Sequence, residues 1–356
     1  EEKLIYELLL SSPPDQVAVD VETISLEYPE PIGLSIAVSP TDAFYFPILP
    51  EPSTYLTDVI KLLQSPDILK IFHNSLYDLK ALAEYKLDQS NIVDTLIMAH
   101  LAGERFADLP YLANSIGIEL PELPKIKQWI WDLTLEQIVT KCCTDAEATY
   151  ALYQHYKDEV DAEYLAVEMK LIPILITMSG KGIRVDQPLR AVIEAELADE
   201  LKVYEDLAEE QGFNPGSPKQ VAYMLAKDGV FLPMTKKRKS LRTDEATLRK
   251  ITHPIAVLAL TYRHSKKLYS TYIRPLTGED RCHTNFHMDA ITGRVSSARH
   301  NLQNIPKGRM RSIFLPDTPP FTDLDFSQIE LRTLAYIAQD DAMQAIFDSE
   351  GDIHQA

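Results

Sequence analysis

Cysteine is scarce in this chain, with three residues in 356, two of them adjacent at Cys142 and Cys143. A disulfide framework is thereby excluded, and the spacing suits no zinc site. A reducing compartment, the cytoplasm by default, is the expectation. Long hydrophobic runs are also missing. No stretch approaches the ~20 consecutive apolar residues of a membrane helix, so no membrane partner is expected. The opening EEKLIYELLL is acidic and lacks the basic start of a secretory leader. Positive charge is scarce overall, with 35 Lys+Arg against 53 Asp+Glu and a net charge of −18. An apolar content of 45% beside 25% charged residues excludes a disordered chain. The length favours two or three domains at ~100–200 residues each.

The shortage of positive charge is local. Residues 213–314 carry 19 Lys+Arg against 6 Asp+Glu, a net of +13, while the remainder carries 16 against 47, a net of −31. One basic block thus lies between two acidic ones. An imbalance sustained over about a hundred residues is what neutralising nucleic-acid phosphates requires.

The first block has α/β patterning. QVAVDV (16–21), IGLSIAV (32–38), AFYFPI (43–48) and ILKIF (68–72) read as strands. Leu56, Val59, Ile60 and Leu63 share one helical face, and apolar spacing predicts further helices at 76–85, 92–102, 108–116 and 135–158. Strands first and then helices suggest one sheet covered by helices. Residues 161–212 read as helical with a turn at SGKG (179–182), and NPGSP (214–218) as a loop entering a helix. TKKRKSLRTD (235–244) is too charged to pack and is expected to be a mobile loop. Helices are expected at 245–251 and 254–274, a turn and strand over 316–325, and a helix over 328–338.

Asp20 and Glu22 lie two apart on a predicted strand and so project from one face. Two unpaired acids on a buried face cost several kcal/mol, a penalty that a divalent cation removes. Asp78 follows a strand in FHNSLYDLKAL, and Asp145 lies in the helix TKCCTDAEATYALYQ. Four carboxylates drawn from separate elements suit a two-metal site that cuts phosphodiesters. Hard oxygen donors favour Mg²⁺, with Mn²⁺ as the alternative.

In this order VAVDVET, HNSLYDL and TDAEATYALY resemble the DEDD-type 3′–5′ exonuclease domain of the ribonuclease H-like fold. The resemblance implies that Asp20, Glu22, Asp78 and Asp145 are metal ligands, with Asn74 a polar neighbour of the third acid. One position departs from the pattern. The proofreading relatives place a water-orienting Tyr four residues before the last Asp, or a His five before it. Here Lys141 and Thr140 stand there. A protonated lysine is no general base. It can touch the scissile phosphate or simply be a solvated helix residue.

TGRVSSARHNLQNIP, RMRSIFLP and DFSQIELRTLAYIAQD resemble family A DNA polymerases, in the family's order and spacing, and MKLIPILITMSGKGIRVD resembles the segment joining exonuclease and polymerase regions. The implied fold class is α/β, with a ribonuclease H-like exonuclease domain (1–160) and connecting helices at the base of the polymerase region (161–212). A mostly helical thumb (213–280) and an incomplete α+β palm (281–356) follow. By the same resemblance Asp325 is the first metal-binding palm acid, with the Phe326 carbonyl as a further ligand, and Glu330 excludes a ribose 2′-hydroxyl. Arg294, Gln303 and Asn304 reach the minor-groove edge, where universal acceptors report pair geometry without sequence. Arg263 and Lys267, four apart on a helix, suit phosphate contact. Lys236, Lys237, Arg238, Lys239 and Arg242 resemble a thumb tip, and His354 a histidine near the incoming triphosphate.

The implied partners are DNA primer-template and deoxynucleoside triphosphates (dNTPs). The fingers helix and the second palm acid of the family do not occur among these motifs. A companion C-terminal polymerase chain, or a missing C-terminal segment, is therefore expected to complete nucleotidyl transfer. Two other readings compete: a free-standing 3′–5′ exonuclease, and a non-catalytic DNA-binding subunit.

Overall fold

A computed structural model describes residues 13–25, 29–124, 130–237, 239–349, 351 and 353. The first strands are β1 (Gln16–Thr23), β2 (Pro31–Ser39) and β3 (Asp42–Pro47), an antiparallel meander. Helix α1 (Leu56–Leu63) leads into β4 (Leu69–Phe72), and α2 (Ser75–Ala81) into β5 (Ile92–Asp94). Both later strands run parallel to β1, giving the order β3-β2-β1-β4-β5. Helices α3 (Thr95–Leu101), α4 (Leu109–Ser115) and α5 (Leu135–Tyr156) complete this part.

The period-two alternation of β1 sorts its side chains. Val17, Val19 and Val21 pack with Leu63, Phe72 and Leu79 on one face of the sheet. Ala18 lies on the other face with Ala37, Ile71, Ala146 and Leu152, and Asp20 and Glu22 follow it there by alternation. The alanines are fully buried, so α5 approaches the sheet closely along this line. Helix α5 starts at a capping box: the Thr134 hydroxyl accepts from Gln137 N–H at 3.3 Å, and Gln137 Oε1 from Thr134 N–H at 2.9 Å.

Helix α6 (Ala162–Lys181) is followed by β6 (Ile183–Val185) and α7 (Gln187–Glu209). The turn expected at 179–182 is narrower than that, because the helix continues through Lys181. It stops at Gly182, whose φ of +61° brings the chain so close that a Cβ would lie 2.8 Å from Cys282 O. Helices α8 (Pro218–Lys227), α9 (Glu245–Leu248) and α10 (Pro254–Lys267) surround a second core of Phe213, Val221, Leu225, Leu248 and Ala259. The π-helical turn Leu268–Ile273 prolongs α10. Strands β7 (Arg281–Cys282), β8 (Asn285–His287), β9 (Ser296–Ala298) and β10 (Phe314–Leu315) form two small sheets, β10-β6-β7 and β8-β9.

Two expectations need correction. Residues 92–94 are strand rather than the start of a helix, and the helix begins only at Thr95. The strand expected within 316–325 does not form. Among the described residues no neighbouring strand satisfies its backbone groups, and a lone strand has no ladder to hold it.

Residues 1–315 and 316–356 are separate compact units. The second contains α11 (Ile329–Ala338) packed on α12 (Asp341–Asp348). Its apolar side chains are largely uncovered: Leu324 is 89% exposed and Phe326 78%. No helix among the described residues is long and apolar enough to cross a membrane.

Candidate metal centre and nucleic-acid interface

The acids expected on β1, α2 and α5 converge. Asp20 pairs in register with Ser35 and Glu22 with Gly33. Ser35 donates to the Cys142 carbonyl at 2.7 Å, fixing α5 over the strand. A Cβ at Gly33 would fall 2.0 Å from the Tyr45 hydroxyl, so any side chain there would displace the Tyr45 ring. Ligand atoms of Asp20, Glu22 and Cys142 lie within 4.8 Å of one another. Burial holds the Cys142 thiol well above its ordinary pKa, so it stays protonated and gives a hard cation no ligand.

Electrostatics mark the cluster as starved of positive charge. Burial, with Glu22 and Asp145 adding repulsion and Lys141 opposing, raises Asp20 to about 8. Burial also raises Glu22, against the pull of Lys141. Asp78 is pushed well above the carboxylate range by burial and by the charges of Asp20 and Asp94. One carboxylate oxygen, Asp20 Oδ2, is buried and accepts no hydrogen bond. An orphaned acceptor amid four carboxylates fits a divalent cation better than any protein donor present.

Lys141 is no solvated helix residue. Its Nζ donates to Asp145 Oδ2 at 2.9 Å, one helical turn away, and forms an ion pair with Glu22. The acids around it raise its pKa despite burial, so it is a fixed cation. Thr140 lies one residue away on α5, and its carbonyl accepts from Thr144 Oγ1 at 2.8 Å.

Sequence reasoning missed Asp94. At the end of β5 it accepts from Asn74 N–H (3.0 Å), Ser75 N–H (2.7 Å), Ser75 Oγ (2.7 Å) and Leu96 N–H (3.0 Å). Those bonds hold Asn74 in a left-handed turn, φ 71°, at the start of the helix that carries Asp78. Tyr77 and Thr23 meet through their hydroxyls beside the acids. His73, half-buried, sits between Thr95 Oγ1 (2.8 Å) and Ala107 O (2.9 Å), and desolvation lowers its pKa.

Two openings lie in this part, of which one is lined by an acid of the cluster. One, of about 360 Å³, exposes Lys141, Thr144 and Asp145 against an apolar wall that includes Pro110, Leu120 and Leu133. Another, of about 250 Å³, places Asn74, Tyr77 and Lys80 opposite Asn285, His287 and Arg299.

The basic block is arranged less uniformly. Lys236, Lys237, Lys239 and Lys267 are exposed. Arg242 is paired with Asp244 at 2.8 Å. Arg263 is turned inward, donating to Pro215 O at 3.2 Å and Thr243 O at 2.5 Å. It therefore ties two loops to α10, and its α10 neighbour Lys267 is the one left facing solvent. Arg294 is exposed in the β8–β9 loop. Gln303 donates to Val295 O at 2.9 Å, and the Asn304 carbonyl accepts from Tyr272 at 2.9 Å, while both side chains remain at the surface. Asp325 and Phe326 lie exposed in irregular backbone, and Glu330 is exposed in the first turn of α11. Arg238 and His354 lie outside the described residues.

An acid-lined mixed sheet is thus followed by a largely helical region rich in basic residues. Residues 1–161 match the 3′-5′ exonuclease family model and residues 187–356 the model for DNA polymerase family A. Together they account for nearly the whole sequence. The chain belongs to DNA polymerase family A, with a 3′–5′ exonuclease domain at its N-terminal side.

Among its relatives, DNA polymerase I of Synechocystis sp. is 32% identical over 99% of this chain and 40% of its own length. DNA polymerase I of Pseudomonas aeruginosa is 31% identical over 96% of this chain and 42% of its own length. The chain thus spans about two-fifths of these curated relatives. A solved structure, the POL domain of Pol1 from M. smegmatis in complex with DNA primer-template and dNTP, superposes with a TM-score of 0.75. It is 25% identical, with 98% of this chain and 63% of that one covered.

Proposed function

We propose that this chain is the exonuclease, connecting, thumb and first palm portion of a DNA-directed DNA polymerase of replication or repair, divided at 1–160, 161–212, 213–280 and 281–356. The convergence of Asp20, Glu22, Asp78 and Asp145 around an unsatisfied carboxylate oxygen carries the exonuclease part. These acids would hold Mg²⁺ or Mn²⁺, which would supply an activated water and neutralise the leaving oxygen. The chain's own groups do the rest. Asp94 sets the position of Asp78 through Asn74 and Ser75, and the two openings accommodate the unpaired end of a strand. In the reaction a water oxygen bonds to the terminal phosphorus and the P–O3′ bond breaks. The new 3′-oxygen takes up a proton, the attacking water gives one up, and a nucleoside 5′-monophosphate leaves.

Polymerase roles are assigned by matching motifs. Primer-template DNA lies against Lys236, Lys237, Lys239, Lys267 and Arg294, with Gln303 and Asn304 at the minor-groove edge. Asp325 and the Phe326 carbonyl would hold the metal that accompanies a dNTP, and Glu330 would select the sugar. The uncovered side chains around Asp325 support a palm that is finished by further polypeptide bearing the second carboxylate and the fingers.

Digestion of 3′-labelled single-stranded DNA with Mg²⁺ or Mn²⁺ tests the exonuclease. Stepwise shortening is expected, with a loss of at least about 10²-fold in Asp20→Ala; equal rates in the two proteins refute it. Primer extension is expected only when the companion part is supplied.

A further inference from the structure

We infer that Lys141 takes the place of one of the two divalent cations, so that the exonuclease-like site holds a single ion. The inference rests on the exonuclease reading above and concerns how that site is occupied. Glu22 and Asp145 face one another across the Lys141 ammonium, which donates to Asp145 Oδ2 at 2.9 Å and pairs with Glu22. A divalent ion bridging those two carboxylates would need the volume and the lone pairs that Nζ now uses. The opposite side of the cluster differs. Asp20 Oδ2 is buried with no donor, and the charges acting on Asp78 from nearby are acidic. The ammonium therefore contacts one half of the site directly, whereas it reaches Asp20 in the other half only through space.

Several features hold the ammonium in place. Lys141 stands one helical turn before Asp145, a spacing at which ion pairs form without bending the helix. Helix α5 is pinned to the strand beneath by the Ser35–Cys142 bond. Moving Nζ aside would leave Glu22, whose side chain is only 9% exposed, without its partner, and an uncompensated buried carboxylate is strongly unfavourable. A point charge with three donors is a weaker substitute for a metal at a leaving oxygen. It does, however, supply positive charge and hydrogen bonds there.

Counting tightly bound Mn²⁺ by electron paramagnetic resonance tests this on the 356-residue chain. The count for its Asp20→Asn variant is subtracted, so that Asp325 and surface acids cancel. The expected difference is one ion for the unsubstituted chain, one for Lys141→Arg, and two for Lys141→Met. Lys141→Gln serves as a second uncharged variant, and circular dichroism checks each fold. Two ions in the unsubstituted chain, or one in both uncharged variants, overturns the substitution of metal by lysine while leaving the exonuclease reading intact. A difference of zero in every chain overturns the exonuclease reading and this inference with it.

Discussion

The Asp20 carboxylate is the residue on which charge balance turns. Burial raises it from 3.8 to about 8, so the folded state holds its proton more tightly than the unfolded state does. Its contribution to stability is complete below pH about 4 and is lost as the pH rises to about 8. In metal-free buffer, thermal melts should show Asp20→Asn gaining on the parent protein across that window and levelling off above it. Saturating Mn²⁺ should erase the gain. A constant difference from pH 4 to 9 would mean that Asp20 is not desolvated as described. Asp94 acts through hydrogen bonds instead. Asp94→Ala strands buried donors that it now satisfies, at about 1–3 kcal/mol for such a loss, and urea unfolding measures it. The D-x-E spacing and the two later acids were legible because they sit in patterned segments. Asp94 was not, because Ile-Val-Asp is too short to show a strand period and merged with the helix after it.

At the scale of elements, the loop between α8 and α9 presents Lys236, Lys237 and Lys239 to solvent while Arg242 and Arg263 are engaged. Replacing the three lysines by alanine should weaken duplex binding for every sequence alike. It should also lower the slope of log K against log salt by about 1 for each phosphate contact removed; an unchanged slope would place the DNA elsewhere. Arg263 shows where pattern reading stops. Its four-residue spacing from Lys267 was correct, but two loop carbonyls with no sequence signal turned it inward. Lys141 is similar. Its position before Asp145 was plain from the sequence, yet only the register of β1 against α5 shows that Glu22 lies on its other side.

Across the whole molecule, the described residues of the first unit form five buried apolar clusters, whereas the second leaves Leu334, Tyr336 and Ile337 of α11 more than half exposed. The FTDLDF segment reads as a strand by composition, but strand formation is a property of pairs and its partner is not among the described elements. Amides of 316–338 should therefore exchange quickly. They should slow when a polypeptide bearing the fingers and second palm carboxylate is added, and unaltered exchange would argue against docking there.

The most direct test of the account is a crystal of the chain soaked in Mn²⁺ with a single-stranded oligonucleotide. An anomalous peak within ligand distance of Asp20 and Asp78, beside the terminal phosphate, is the predicted result. Density for the oligonucleotide with no peak at these carboxylates would contradict it.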